Sequence, residues 1–116
     1  MFVDARIPVR FGRVEAAGPE DALLVEGEGA PEAVPASVPG RAVAWFRPGA
    51  HAPGCACCPP RGAAAEALTR LFLDRVRGKV PQFRAVVAAV SGAEGEAAVR
   101  AAVASDPLVS VRFRPG

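Results

Sequence analysis

The chain has 116 residues, a net charge of +2 and 51% hydrophobic residues. This length suits one domain, residues 1–116, with a single core, and the apolar fraction is that of a globular protein. Acidic and basic residues are interspersed, which argues against a nucleic-acid-binding surface, and no apolar run approaches the roughly 20 residues that a membrane-spanning helix needs.

The cellular compartment can be inferred from the first residues and from the cysteines. Residues 1–6 lack the basic-then-apolar order of a secretion signal. The chain holds three cysteines, an odd number, and all of them are clustered. This pattern is typical of a reducing environment rather than of a disulfide framework, so we expect the protein to be cytoplasmic.

Five apolar segments predict β-strands. Four of them are short or alternating, namely residues 7–11, 22–25, 42–46 and 108–113, the last with Val109, Val111 and Phe113 on one face. Pro8 in the first of these suits either an edge strand or the start of a strand. The fifth segment, residues 83–90, contains six consecutive apolar residues, which favours a strand buried on both faces.

Two segments have helical periodicity. Residues 63–77 place one apolar face at Ala64, Leu68, Leu71, Phe72 and Val76, and Gly78 and Pro81 end the pattern. Residues 94–105 form a second, alanine-rich pattern with Ala98, Val99, Ala102 and Val103 on one face. Strands alternating with helices predict an α/β fold: a small mixed, partly parallel sheet of about five strands with two main helices.

Two segments between these elements predict loops. Residues 26–40 are rich in Gly, Pro and Glu and show no periodicity, which is typical of an exposed loop. Residues 50–60 predict a second loop, which carries all the cysteines and the only histidine.

The cysteines form the run Gly54-Cys55-Ala56-Cys57-Cys58, and His51 lies four residues before the first of them. Adjacent cysteines rarely bridge each other because disulfide geometry strains a vicinal pair. Crowded thiols are better explained by a soft metal ion, usually zinc. Thiol redox chemistry is the second interpretation, and inert packing the third, since the flanking Gly and Pro indicate a surface turn rather than a core.

Zinc requires four ligands, and Cys55, Cys57 and Cys58 supply at most three of them. His51 is the nearest candidate for the fourth, although it also suits a surface histidine with no ligand role. Asp21 and the glutamates of residues 26–32 are weaker alternatives. The following helix would lower the pKa of nearby thiols through its positive end, which favours metal binding and redox reactivity alike. An incomplete ligand set suits an exchangeable site, or one completed by another subunit.

Read in order, several segments resemble the CobW-type GTPases, a family of metal-handling P-loop proteins that includes zinc metallochaperones. The resemblance spans nearly the whole chain, and its most specific part is the Gly-Cys-x-Cys-Cys motif at residues 54–58. The other similar segments are Arg10-Phe11-Gly12, Asp21-Ala22-Leu23-Leu24-Val25, Arg61-Gly62, Phe83 with Val86-Val87, Ser91-Gly92, Ser105-Asp106-Pro107-Leu108 and Arg112-Phe113-Arg114. The resemblance implies the central part of a CobW-type domain and a metal-handling role.

The sequence departs from that family where nucleotide chemistry is performed. It contains no Gly-x-x-x-x-Gly-Lys-Ser/Thr, the loop that cradles phosphates, and the matching region would precede Met1. Arg10 and Ala89 stand where the family carries glutamates, and the sequence ends before the expected guanine-recognition segment. We therefore expect neither GTP hydrolysis nor tight GTP binding, since phosphoryl transfer needs a phosphate cradle and a magnesium site.

Three hypotheses follow. The first is a cytoplasmic zinc-binding protein that carries, buffers or senses metal, as a homodimer or with a full-length CobW-type protein as partner. The second is a thiol oxidoreductase, although its spacing differs from Cys-x-x-Cys. The third is a non-catalytic module of the same fold that binds a protein partner through an exposed sheet edge or apolar face.

Overall fold

The computed structural model describes residues 4–27, 40–48 and 62–116. These residues form five strands, β1 (Ile7–Phe11), β2 (Asp21–Glu26), β3 (Val43–Phe46), β4 (Ala85–Ala89) and β5 (Phe113–Pro115), and two α-helices, α1 (Ala63–Val76) and α2 (Ala93–Ser105). The strands form one sheet in the order β3-β2-β4-β1-β5, and every neighbouring pair is parallel. The predicted α/β class with five strands and two helices is confirmed, and the described sheet is parallel throughout.

Both helices pack on one face of the sheet. The buried side chains of α1 include Leu68 and Leu71, and those of α2 include Val99 and Val103. They share a core with strand residues such as Leu24, because alternate residues of a strand point to the same face. Burying each of these leucines or valines stabilises the fold by about 1.5–3 kcal/mol, so this layer holds the helices on the sheet.

The opposite face of the sheet has a smaller apolar cluster. Leu23, Val25 and Val87 are buried there beneath Val14, Ala17, Val43 and Trp45. Val14 and Ala17 belong to the short connection between β1 and β2, which contains a 3₁₀ turn at Val14–Ala16. Strand β4 is therefore buried on both faces, as its continuous apolar run predicted.

The C-terminal end of α1 is set by Gly78. Its φ of 71° is a left-handed conformation that favours glycine, and the Lys79 N–H donates to the Asp74 carbonyl at 2.9 Å. The prediction that Val76 belongs to the buried face of this helix is wrong, since its side chain is 63% exposed. Val76 lies about 140° around the helix axis from Leu71, which places it off the buried stripe.

The prediction of a strand over residues 108–113 is wrong for residues 108–112, which form turns. The Asp106 carboxylate accepts hydrogen bonds from the N–H groups of Leu108 and Val109, and the Ser110 N–H donates to the Asp106 carbonyl. Asp followed by Pro favours this turn because Asp caps free N–H groups while Pro supplies none. Val109 is buried and Val111 is exposed, so the two do not share a face, and β5 begins only at Phe113.

Strand β1 lies inside the sheet, between β4 and β5. Of the two positions that suit Pro8, the structure therefore shows the start of a strand and not an edge strand. Pairing with β4 begins at Val9, one residue after the proline, so the missing N–H of Pro8 breaks no bond of that ladder. Within the described part of the chain, neither helix is long and apolar enough to cross a bilayer.

Candidate functional site

Because all described strands are parallel, their carboxyl ends meet at one edge of the sheet. Ligands of open α/β sheets bind at this edge, where neighbouring strands lead away in opposite directions. Here β2 leads to β3 on one side, whereas β4 leads through α2 to β5 on the other side. The edge between β2 and β4 is therefore the expected ligand position of this fold.

A cleft of about 750 Å³ lies at this position. Its wall consists of residues that follow β1 and β4, together with the last residues of β2 and β4: Gly12, Arg13, Val14, Glu15, Ala16, Glu26, Ala89, Val90 and Ser91. The polar side chains in this set belong to Arg13, Glu15, Glu26 and Ser91. The cleft thus has both acidic and basic groups at its margin and no strong charge of one sign.

Glu26 is the acidic side chain that the fold holds in place at this edge. Its Oε1 accepts a hydrogen bond of 2.9 Å from the Ser91 N–H, immediately before α2. Gly95 in the first turn of α2 leaves room for the carboxylate, since a Cβ at that position would overlap Oε1. The N-cap residue Gly92 offers no side-chain hydrogen bond, so Glu26 supplies negative charge at the positive end of the helix.

The predicted metal ligands Cys55, Cys57, Cys58 and His51 lie outside the described residues. The residues on either side of their segment are described. Phe46 ends β3 and is followed by Arg47 and Pro48, and Gly62, with a φ of 62°, is the N-cap of α1. Pro48 and Gly62 line the same groove of about 660 Å³ beside α2. Residues 49–61 therefore connect the carboxyl end of β3 to the start of α1.

Asp21, a weaker candidate for the fourth ligand, lies at the other end of β2. Its Oδ2 accepts hydrogen bonds from Arg10 Nη2 at 2.6 Å and from the Gly18 N–H at 2.7 Å. Burial acts to raise the pKa of Asp21, but these hydrogen bonds and the charge of Arg10 outweigh it and lower the pKa. The six residues of β2 span about 16 Å, so this engaged carboxylate is far from the carboxyl edge.

Among residues 4–27, 40–48 and 62–116, no three or more His, Cys, Asp or Glu side chains group together as a metal site would require. Sequence reasoning assigned Glu26 only to a set of loop glutamates and did not find its role at α2. Two features of the sequence could have indicated that role: an acidic residue at the end of the apolar run of β2, and a Ser-Gly pair after the apolar run of β4. Comparison of this chain with protein-family models, curated proteins and solved structures found no match.

Proposed function

We propose that this protein is a cytoplasmic metal-binding protein, with zinc as its ion, that carries, buffers or senses metal. Cys55, Cys57 and Cys58 are the proposed thiolate ligands, and His51 is the proposed fourth ligand. The observation that carries the proposal is the presence of all three cysteines within four positions, in the Gly-Cys-x-Cys-Cys pattern that resembles the CobW-type proteins.

The described residues support this proposal through the place of the cysteine segment in the chain. In the chain, the segment comes between β3, whose carboxyl end lies at the edge where α/β folds bind ligands, and α1, a helix of 14 residues. The positive end of such a helix favours thiolates over thiols, and thiolate is the form that binds zinc. The N-cap residue Gly62 makes no side-chain hydrogen bond, and the acidic residue of the first turn is Glu66.

We further propose that the protein neither hydrolyses GTP nor binds it tightly. Support comes from the absence of a phosphate-binding loop motif in the printed sequence. It also comes from the junction between β4 and α2, where the Ser91 N–H is bound to the Glu26 carboxylate. A phosphate at this helix start would have to compete with that internal anion for the same donor.

The first experiment measures zinc by elemental mass spectrometry in protein purified without a histidine tag, with thiols counted before and after chelation. We expect near-stoichiometric zinc that protects the thiols in the wild type, and loss of most of it in Cys57→Ser and Cys58→Ser. Ala56→Ser is the matched control, since it adds a hydroxyl to the same motif and removes no thiol. Metal-free protein with reactive thiols would contradict the proposal.

The fourth ligand and the subunit arrangement need separate measurements. We expect His51→Ala to weaken zinc retention against a competing chelator while leaving the thiol count unchanged. If zinc bridges two copies, Cys57→Ser and chelator will both lower the dimer population in size-exclusion chromatography. An elution volume that chelator does not change would exclude bridging, without bearing on metal binding within one chain.

The adjacent thiols of Cys57 and Cys58 also favour a second candidate, a thiol redox function. A redox protein would cycle these thiols between reduced and oxidised forms and would need no metal. Reaction of the metal-free and zinc-loaded protein with a dithiol-specific arsenical distinguishes the two functions. Equal reactivity of both preparations would favour redox chemistry over zinc ligation.

A further inference from the structure

A further pocket, of about 500 Å³, lies at the amino edge of the sheet, opposite the edge that leads to the cysteine segment. Three separate parts of the chain contribute to it: the start of β1, the C-terminal half of α1, and the turn before β5. Its apolar wall includes Ile7, Phe72 and Val111. Its size falls within the range of small-molecule sites, and it is independent of the proposed metal function.

The charged residues of this pocket are three arginines and one aspartate. Arg6 binds Asp4 in a bidentate manner, through Nε at 3.0 Å and Nη2 at 2.8 Å, so this pair neutralises itself. The hydrogen bonds from Arg6 lower the pKa of Asp4 to about 2. Within the described residues, Arg75 and Arg112 form no ion pair with any carboxylate, which leaves the pocket with two uncompensated positive charges.

Both of these guanidinium groups are held by aromatic rings. Arg112 lies 4.2 Å from the ring centre of Phe72, and Arg75 lies 5.5 Å from that of Phe83. Arg75 also donates from Nε to the Phe83 carbonyl at 2.9 Å. Stacking and this hydrogen bond restrict the two side chains, so a ligand that binds them loses less side-chain entropy than it would with free arginines.

We propose that this pocket binds a small organic oxyanion, a carboxylate or phosphate that also bears an apolar group. The guanidinium of Arg112 presents planar N–H donors that match an oxyanion, and Arg75 adds a second positive charge. Ile7, Phe72 and Val111 provide the apolar contact for the rest of the ligand. A simple inorganic ion would bind the two arginines but would make no use of the apolar wall.

The test is an NMR titration of the full chain that follows the Arg Nε–H signals and the backbone amides of residues 111 and 112. Phenyl phosphate and phenylacetate are the organic probes, inorganic phosphate and acetate are the probes without an apolar group, and benzyl alcohol is the neutral probe. We expect saturable shifts with at least one organic anion, at roughly tenfold tighter binding than its inorganic or small counterpart. Equal binding of benzyl alcohol, or no saturable shift at these signals with any probe, would overturn the proposal.

Two matched pairs of variants locate the binding. Arg112→Gln should weaken it by roughly tenfold or more, whereas Arg70→Gln, which removes the same charge from the outer side of α1, should leave it unchanged. Val111 is 65% exposed, so its substitution spares the core. Val111→Asp should abolish binding, and Val111→Asn, which removes the apolar contact without adding charge, should weaken it less. Equal loss in Arg70→Gln would show that net charge alone attracts the probe, and full binding in Val111→Asp would show that the probe binds elsewhere; either result would overturn the proposal.

Discussion

Asp21 shows how a single carboxylate can join two strands that are not neighbours in the sheet, β2 and β1. Its side chain is only 11% exposed, and it accepts hydrogen bonds from Arg10 of β1 and from the nearby Gly18 N–H. Because its pKa in the folded state is lowered, its stabilising contribution is present above its unfolded pKa of about 3.9 and is lost as pH falls through the folded value. We expect Asp21→Asn to lower the free energy of unfolding by about 1–2 kcal/mol at pH 7 and by much less at pH 2.

Urea unfolding of wild type and variant at the two pH values checks this prediction. Glu20→Gln is the matched control, because Glu20 is the neighbouring acid and its contact with Arg84 is exposed and long, at 3.7 Å. We expect that control to change stability by less than about 0.5 kcal/mol. A cost of Asp21→Asn that does not depend on pH, or that Glu20→Gln equals, would contradict the assignment.

At the scale of one element, the start of α2 depends on a residue from β2. Gly95→Ala would ordinarily stabilise a helix by about 1 kcal/mol, but here the added Cβ would displace the Glu26 carboxylate from the Ser91 N–H. We expect Gly95→Ala to be neutral or destabilising in the wild type and stabilising by about 0.5–1 kcal/mol in Glu26→Ala. A double-mutant cycle from urea unfolding measures this coupling.

The control for that cycle is Gly92→Ala, at the N-cap of the same helix. A Cβ at position 92 would meet no atom within 4 Å, and the φ of −172° is extended backbone that any residue adopts. Its effect should therefore be the same with and without Glu26. Additivity of Gly95→Ala and Glu26→Ala would mean that the carboxylate and the helix start act independently.

At the scale of the whole molecule, β4 links two apolar layers. Val86 faces the helices and Val87 faces the smaller cluster, and neither side chain is exposed. We expect the layers to unfold together, so that fluorescence of Trp45, the only tryptophan, and far-UV circular dichroism of the helices give one midpoint. Val87→Ala should lower stability by about 2 kcal/mol and shift both signals equally.

Val111→Ala is the matched control, since it makes the same change at an exposed position and should alter stability by no more than about 0.5 kcal/mol. Different midpoints for the two signals would show that the smaller cluster unfolds on its own. If either layer unfolds first, it should be the smaller cluster, because among the described residues that face is covered by the short connection after β1 rather than by a helix.

The sequence by itself determined the type and approximate bounds of both helices and of four strands. Those features depend on periodicity within a few residues, and Gly78 and Pro81, which end the first helical pattern, are also close to it in the chain. The continuous run in β4 also indicated burial on both faces, because no alternation is needed where both sides are covered. The proposal of a thiolate metal site also depends on a local pattern, since Cys55, Cys57 and Cys58 lie within four positions of the chain.

Only the tertiary structure decided the strand order, the internal place of β1 and the turns over residues 107–112. In each case the outcome depends on a partner distant in sequence or on a competing side-chain hydrogen bond, as with Asp106. The tertiary structure alone also decided the contact of Glu26 with α2 and the arginine pocket at the amino edge. They combine residues from separate elements, and no spacing along one segment encodes contacts that folding alone creates.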